Sequence, residues 1–466
     1  MQVSVKKLSE SLQHPDYRWD GEYLCFEPYK NNQIKYIPIG DTLKSSQYGL
    51  SISMNEDGDG TKIYRMNEIS NMMCDRNILK YAPITPEEIE AYKLNDRDVL
   101  FNRTNSQVFV GRTGIFKEFS QEPIVFASYL VRIVPDINIV TPEYLTTFLN
   151  TKYGVLDVKR RARISINQSN VNAEELKRVE IPLVDKALQL LVTDSFNEAF
   201  RYIQKSESTF KEAENILLSE LGVSNWQPKH QLTYVKNYSD TEQAERIDAE
   251  YFQPKYEEVV KAIKAYKGGW DALGNLAKLK DKNFNPVEKK QYKYIELSNI
   301  TGNGEIADCM IEEGQDLPTR ARRKVATGDV IVSSIEGSLN SIALIEEEHD
   351  QALCSTGFHA VNSKTFNPET LLVLLKSIVG QLQLKKGCSG TILTAINRDE
   401  FKQVVLPKVI QAKQTEIQQK VIGSFNLRKQ SKHLLECAKR AVEIAIERDE
   451  QTAIEWLENE TKGMQT

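Results

Sequence analysis

The chain repeats its own sequence, and this internal repeat limits the folds open to it. The segment "RWDGEY" at Arg18–Tyr23 recurs as "RIDAEY" at Arg246–Tyr251, and residue 246 follows residue 18 by 228 positions. Three further segments recur in the same order and at nearly the same separation: "DVLFN" as "DVIVS", "TPEYLTTFLNTKYG" as "NPETLLVLLKSIVG", and "VNAEELKRVEIPLV" as "INRDEFKQVVLPKV". A period this long is not that of a solenoid. The sequence therefore predicts two copies of one domain.

Each copy predicts the same succession of elements. A strand-rich region with Gly and Asn turns comes first. A short helix then begins at Thr141-Pro or Asn367-Pro, because proline suits the first helical turn, and another short helix opens at Asn172 or Asn397. An Ile-Pro or Leu-Pro step ends that helix, and a long helix follows. The predicted fold class is α+β.

Two long helices are predicted, the first over Lys186–Leu221 and the second from about Gln411 to Glu460. Apolar residues recur every seven positions in the first, which indicates a helix lying along another helix. Two such helices in a duplicated chain most simply pack antiparallel, as in a coiled coil, although an external helical partner would satisfy the same pattern. The residues predicted to form this packing are Phe196, Ile203, Phe210, Leu217, Ile417, Val421, Leu435 and Val442.

These patterns divide the chain into five segments. We predict a first strand-rich domain (1–184), a first long helix (185–221), a connector (222–243), a second strand-rich domain (244–409), and a second long helix with a tail (410–466). The 466 residues, 40% hydrophobic and 27% charged, are typical of globular domains. The longest apolar runs are too short to span a bilayer.

The compartment and the metal content are also predicted. No apolar region follows the N-terminus, so no secretory signal is expected. The six cysteines are scattered and the five histidines form no ligand-spaced pair. This usage predicts the cytoplasm, where thiols stay reduced, and no metal site.

Motifs for catalysis are missing from the sequence, with one loose exception. The chain has no Pro-Pro, which the target-amine loop of adenine methyltransferases needs, no G-x-x-x-x-G-K-[ST] and no G-x-S-x-G. Asp136, Asp157 and Lys159 match a loose nuclease spacing that would hold Mg²⁺. However, Asp157 and Lys159 fall at the end of a predicted helix, and the second copy lacks the pattern. A Mg²⁺-dependent nuclease stays open as an alternative.

Polar and cationic clusters remain as candidates for binding. The net charge of the chain is -5, which does not by itself indicate a nucleic-acid-binding protein. Local cationic patches could still bind the phosphates of DNA, because screening limits electrostatic interactions to short distances. Clusters stand at the same point of both copies, in "KRRARISINQ" from Lys159 and "KKGCSGT" from Lys385. Such residues neutralise phosphates or bond base edges; alternatively, they form solvated faces, or Arg103 and Arg112 satisfy buried carbonyls. The candidate DNA-binding residues are Asn102, Arg103, Thr104, Asn105, Arg112, Arg160, Arg161, Arg163, Asn167, Gln168, Arg320, Arg322, Arg323, Lys385, Lys386 and Ser389.

The chain resembles the specificity (S) subunit of type I restriction–modification systems. The resemblance is carried by "DVLFNRTNSQVFVGRTGIF", "FASYLVRI", "INQSNVNAEELKRVEIPL" and "RIDAEYFQPKY", and it includes the two-copy plan. It implies two target recognition domains, each gripping half of a split DNA site, with the long helices as a spacer between them. It also implies that the chain itself catalyses nothing.

The resemblance further implies partners for the chain. These are double-stranded DNA, two methyltransferase subunits and two ATP-driven restriction subunits, and no membrane. S-adenosylmethionine, ATP and Mg²⁺ are expected on those partner subunits, so no cofactor is expected in this chain. A purely protein-binding scaffold is the third hypothesis, and it predicts no footprint on DNA.

Overall fold

The computed structural model describes residues 18, 20–56, 58–165, 168–307, 309–390 and 394–463. It is a mixed helix and sheet protein, so the α+β class is confirmed. The chain divides into two compact units, Met1–Ile203 with Lys429–Thr466, and Gln204–Arg428. None of the described helices combines the length and apolarity needed to cross a membrane.

The described residues form fourteen α-helices. They are α1 Gly21–Cys25, α2 Pro86–Tyr92, α3 Pro142–Asn150, α4 Lys152–Arg161, α5 Ala173–Lys177, α6 Lys186–Glu220, α7 Tyr238–Ala244, α8 Pro254–Lys264, α9 Leu273–Leu276, α10 Pro368–Lys376, α11 Ile378–Lys386, α12 Arg398–Gln403, α13 Gln411–Glu447 and α14 Glu450–Thr461.

The β-strands of the first unit are short. They are β1 Tyr36–Pro38, β2 Leu43–Tyr48, β3 Thr61–Tyr64, β4 Ile69–Ser70, β5 Met73–Cys74, β6 Tyr81–Ala82, β7 Val99–Asn102, β8 Thr104–Asn105, β9 Thr113–Ile115, β10 Ile124–Phe126, β11 Leu130–Pro135, β12 Arg163–Ser165, β13 Gln168–Asn170 and β14 Glu180–Pro182.

The second unit contains the remaining strands. They are β15 Trp270–Ala272, β16 Ala277–Leu279, β17 Gln291–Ile295, β18 Met310–Glu313, β19 Ala321–Lys324, β20 Val330–Ser333, β21 Ile342–Leu344, β22 Leu353–Ser355, β23 Phe358–Ser363, β24 Cys388–Ser389, β25 Ala395–Ile396 and β26 Val405–Pro407.

The central sheet of the first unit has the order β2-β11-β7-β9-β5-β4. Its middle strand β7 is buried along its whole length, as expected of a continuous apolar run inside a sheet. β7 pairs antiparallel with both β9 and β11. Smaller sheets, β10-β3-β6, β1-β14 and β12-β13-β8, complete the unit.

The second unit repeats these pairings. β20 pairs antiparallel with β21 and β23, as β7 pairs with β9 and β11. β15 pairs with β26, as β1 pairs with β14, and in both cases the later strand directly precedes a long helix. The helix pair α10–α11 corresponds to α3–α4. A further sheet, β18-β17-β22-β19, belongs to this unit.

Two repeated sequence features have local structural causes. The four predicted starts of the short helices are confirmed, because Thr141, Asn172, Asn367 and Asn397 each accept a backbone N–H from the first turn. The glycine that ends "TKYG" and "SIVG" allows a close approach within each helix pair. A Cβ at Gly154 would overlap the backbone at the end of α3, and one at the matching glycine of α11 would overlap the end of α10.

The first long helix, α6, closely matches its prediction, but the second is shorter than predicted. α13 ends at Glu447, and a new helix, α14, begins at Glu450. Asp449 lies between the two helices and caps the second. Its carboxylate accepts hydrogen bonds from the backbone N–H of Thr452 and from the Thr452 hydroxyl, each at 2.8 Å. An aspartate that caps a new helix competes with continuation of the old one. The prediction of one helix to Glu460 is therefore wrong.

Within the second unit, residues 204–220 of α6 run antiparallel to residues 411–428 of α13. Ser206 lies opposite Ser424, with 2.9 Å between their hydroxyl oxygens, and Glu212 pairs with Lys420 at 2.6 Å. The eight predicted packing residues differ in burial. Phe196, Leu217, Ile417, Val421, Leu435 and Val442 are buried, whereas Ile203 and Phe210 are half-buried.

Candidate nucleic-acid interface

In the first unit, the repeated motif closes the end of α4. Arg18 donates from Nη1 to the carbonyl of Arg161 at 2.7 Å and from Nη2 to that of Ala162 at 3.3 Å. These carbonyls lack helical partners, and a cation at a helix C-terminus is favourable. Asp20 accepts from Arg18 Nε at 2.7 Å and from the backbone N–H of Tyr23 at 2.9 Å. The guanidinium lies 4.8 Å from the centre of the Tyr23 ring.

In the second unit, Arg246 makes similar contacts just after the end of α11. It donates to the carbonyl of Cys388 at 3.1 Å and to Asp248 at 2.7 Å, and it lies 4.3 Å from the centre of the Tyr251 ring. The hydrogen bond from Arg246 lowers the pKa of Asp248. Lys386 lies over the same ring at 4.7 Å, and burial lowers its pKa.

These motif residues were missed as site residues by the sequence prediction, although their recurrence was the strongest signal in the chain. Their contacts explain the recurrence. In each unit, an arginine, an aspartate and a tyrosine fix the point at which the chain leaves a short helix and enters a small hairpin.

The hairpin of the first unit is β12–β13, which follows α4 directly. β13 also pairs with β8, and Asn170 donates to the Thr104 hydroxyl at 2.6 Å. Arg163 and Gln168 are exposed on this hairpin. Asn167, another predicted contact, lies outside the described residues.

The hairpin of the second unit is β24–β25, and it follows α11. Ala395 of β25 forms a bridge to Ile335, just after β20, in the position that corresponds to the pairing of β13 with β8. Lys385 and Ser389 are exposed here, whereas Lys386 is half-buried. Each unit therefore presents a small hairpin that follows a short helix and pairs with the segment after its central strand.

Arg160 and Arg161 are the last two residues of α4, and their side chains are largely buried. Arg161 is 5% exposed, and its Nε is 3.0 Å from an oxygen of Asp157; its Nη1 is 3.6 Å from Glu175. Arg160 Nε lies 2.5 Å from the same oxygen of Asp157, and its Nη1 donates to the carbonyl of Tyr23 at 3.1 Å. Guanidinium groups buried on carboxylates do not face a phosphate, so this placement conflicts with the predicted DNA contacts of both residues.

The segment after β7 is also more buried than predicted. Asn102 is 0% exposed and donates to the carbonyl of Met66 at 3.4 Å, and Thr104 is 9% exposed. Both placements conflict with a contact to DNA. Arg103 donates to the carbonyl of Ser128 at 3.2 Å, which agrees with the alternative that it satisfies a buried carbonyl.

Two other candidates of this segment reach the surface to different degrees. Arg112 is exposed and lies 4.0 Å from the centre of the Phe109 ring. Asn105 is half-buried, and its side chain accepts the backbone N–H of Ser106 at 2.8 Å.

The arginine cluster of the second unit is held around β19. Arg320 is exposed, and it donates to the Tyr294 hydroxyl and to Glu296, each at 3.2 Å. Arg322 is half-buried and donates to the carbonyl of Thr319 at 3.0 Å. Arg323 is half-buried, and its Nε and Nη1 have no hydrogen-bond partner.

The nuclease alternative does not fit these positions. Asp157 is buried between two arginines, and Asp136 accepts from the backbone and side chain of Asn138. Among the described residues, one group of side chains could hold a metal ion, and neither aspartate belongs to it.

The comparisons with known proteins identify a class of similar proteins. The curated relatives are type I restriction enzyme specificity subunits, so the predicted resemblance is confirmed. No protein-family model matches the chain.

Individual relatives are distant. The provisionally named MjaX specificity subunit of Methanocaldococcus jannaschii is 28% identical over 207 residues, which are 42% of this chain and 48% of that protein. The EcoKI specificity subunit of Escherichia coli K12 is 24% identical over 191 residues, which are 40% of each chain. The chain thus spans about half the length, or less, of these relatives.

Among solved structures, the S subunit from M. genitalium is similar at a TM-score of 0.32 and 12% identity, with 92% of this chain and 98% of that chain covered. The HsdS subunit from Thermoanaerobacter tengcongensis is similar at a TM-score of 0.30 and 12% identity, with 91% and 99% covered.

Proposed function

We propose that this chain is the DNA sequence-specificity subunit of a type I restriction–modification complex, and that it is not an enzyme. The observation that carries the proposal is the duplicated support, in which each unit presents a small hairpin at the end of a cation-bearing helix. The names of the similar proteins support the same role. Each unit would bind one half of a bipartite DNA site.

The exposed side chains around each hairpin suit the two parts of DNA recognition. In the first unit, the exposed candidates are Arg163 and Gln168 on the hairpin and Arg112 just before β9. In the second unit, they are Lys385 and Ser389. Arginine and lysine neutralise phosphates, and arginine, glutamine and serine bond base edges in the major groove. Phosphate contacts position a protein on DNA, and base contacts specify the sequence. Exposed Arg320 is a further candidate for a phosphate contact.

The long helices would set the distance between the two half-sites. α6 and α13 have 35 and 37 residues, which correspond to about 52 and 56 Å at a rise of 1.5 Å per residue. When one rigid protein reads two half-sites, its geometry sets the distance between them. One turn of DNA is about 34 Å long, so half-sites on the same face lie about 34 Å, or a multiple of it, apart. An antiparallel, coiled-coil-like pair of helices between two recognition domains would be such a spacer.

Catalysis would belong to the partner subunits. We propose two methyltransferase subunits, which carry S-adenosylmethionine, and two restriction subunits, which use ATP and Mg²⁺. The long helices and adjoining surfaces would hold the methyltransferases, and the complex would act in the cytoplasm, where the DNA is.

A domain exchange tests this proposal. Replacing residues 18–184 with the corresponding segment of another specificity subunit should change one block of the methylated motif and leave the other block and the gap unchanged. The matched exchange of residues 246–409 should change only the other block. A change of both blocks by either exchange, or of neither, would contradict a split reader.

A further inference from the structure

A group of three metal-binding side chains lies in the first unit, away from the hairpin. His433 and Cys437 are four residues apart on α13, so they share one face of the helix. Glu460 comes from α14. Each residue offers one donor atom, and the three atoms all lie within 4.8 Å of one another. Cys437 is buried, whereas His433 and Glu460 are exposed.

The spacing between the thiol and imidazole donor atoms matches tetrahedral coordination of one ion. The Sγ of Cys437 lies 3.5 Å from Nε2 of His433. Zinc binds thiolate at about 2.3 Å and imidazole at about 2.0–2.1 Å, and at a tetrahedral angle these bonds separate sulfur from nitrogen by about 3.6 Å. A hydrogen bond between the thiol and the imidazole would explain the contact of Cys437 with His433. It does not explain why α14 brings a carboxylate to the same place.

We propose that His433, Cys437 and Glu460 bind one Zn²⁺ ion. A soft thiolate with an imidazole selects zinc among the common divalent ions, whereas Mg²⁺ and Ca²⁺ prefer oxygen ligands. Three protein ligands leave a fourth position for water, and the two exposed residues keep that position open to solvent. The proposal is independent of the DNA-binding role.

The ion would fasten α14 to α13. The two helices are separate because of the cap at Asp449, and Ala453 and Leu457 are buried on α14. A ligand on each helix would make zinc binding favour the folded arrangement of the pair, since a ligand that binds only the native state stabilises it.

Titration of the chelator-treated full-length chain with ZnCl₂ tests the site, with CoCl₂ as a spectroscopic probe. We expect about one ion per chain, a thiolate-to-Co²⁺ charge-transfer band, and a higher melting temperature with Zn²⁺. Cys437→Ser should abolish the band, and Glu460→Gln should weaken Zn²⁺ binding more than about tenfold. Glu458→Gln, exposed on the same helix, and Cys25→Ser are the matched controls, and neither should change Zn²⁺ binding.

Because Glu460 is exposed, Glu460→Gln should fold even where Cys437→Ser does not. No stoichiometric Zn²⁺ binding by the unaltered chain would overturn the proposal. Binding that survives both Cys437→Ser and Glu460→Gln would overturn it equally. Binding lost with Cys437→Ser but unchanged by Glu460→Gln would reject the role of α14 as a ligand donor.

Discussion

At the scale of single residues, Arg161 and Arg163 belong to one run of cations but have different surroundings. Arg163 is exposed on β12, so Arg163→Ala should leave stability within about 0.5 kcal/mol of the unaltered chain. It should weaken binding to DNA that carries the methylated motif, and lower the salt dependence by about one phosphate contact. Fluorescence anisotropy at several salt concentrations measures both effects.

Arg161→Ala is the contrasting variant. It removes a buried partner of Asp157 and Glu175, and breaking a buried pair costs about 3–5 kcal/mol. We expect the lower end of that range, because Arg160 still pairs with Asp157. Urea unfolding measures the loss. Unaltered DNA binding by Arg163→Ala, or unaltered stability of Arg161→Ala, would contradict the two assignments.

Glu447 predicts an acid dependence of stability in the first unit. The hydrogen bonds from Arg440 lower its pKa to about 2, with further contributions from Lys152 and Tyr153. A carboxyl with a lowered folded-state pKa adds stability above its unfolded pKa of about 4.3. That contribution is lost as the pH falls towards 2.

The variant Glu447→Gln should be less stable at pH 7 and should lose part of the decline between about pH 4.3 and 2. Urea midpoints across that range provide the measurement, and Glu458→Gln serves as the exposed control. A decline as steep as that of the unaltered chain would show that Glu447 is not the source.

Sequence patterns identified the cations near each hairpin but not which of them face outward. A charge run states composition, whereas exposure depends on strand pairing and on partners far along the chain. One local signal was present, since Asp157 precedes Arg161 by four residues on a helix, a spacing that favours an ion pair. The contact of Arg18 with the end of α4 joins residues more than a hundred positions apart, so periodicity could not reveal it.

At the scale of elements, the sequence correctly predicted the first long helix, the start of the second and the caps of the short ones. Heptad spacing and capping residues act within a few turns, so they can be read locally. The hairpins β12–β13 and β24–β25 were not predicted, because strands of two or three residues carry no periodic signal. The break before α14 depends on Asp449 acting as a helix cap. A single charged residue within a helical pattern does not by itself predict such a cap.

A buried polar cluster predicts the behaviour of the helix pair in the second unit. Asn303 donates to the hydroxyls of Ser206 and Ser424 at 3.1 and 3.2 Å. Ser424→Ala would remove one of these partners and should cost about 1–3 kcal/mol. In a urea-unfolding double-mutant cycle, Ser206→Ala and Ser424→Ala should be non-additive by at least about 0.5 kcal/mol. Ser208→Ala, exposed on α6, is the control; full additivity would indicate that the hydroxyls act independently.

At the scale of the whole molecule, the duplication could be predicted from the sequence because four segments recur in order at nearly constant spacing. Both units pair their central strands alike, β7 with β9 and β11, and β20 with β21 and β23. The order β18-β17-β22 in the second unit also repeats β6-β3-β10 of the first, with the first pair antiparallel and the second pair parallel in both, and the second unit adds β19 at the edge. The exposed side chains near the two hairpins differ, since Arg163 and Gln168 are exposed in the first unit and Lys385 and Ser389 in the second. The two half-sites should therefore differ, and the motif should not be a simple palindrome.

The most direct measurement is long-read methylation sequencing of DNA from cells that carry this chain with its cognate methyltransferase subunit, compared with cells that lack only the chain. The account predicts methylated adenine in a motif of two short defined blocks separated by a fixed gap, present only with the chain. An identical methylation pattern in both cells would contradict the account.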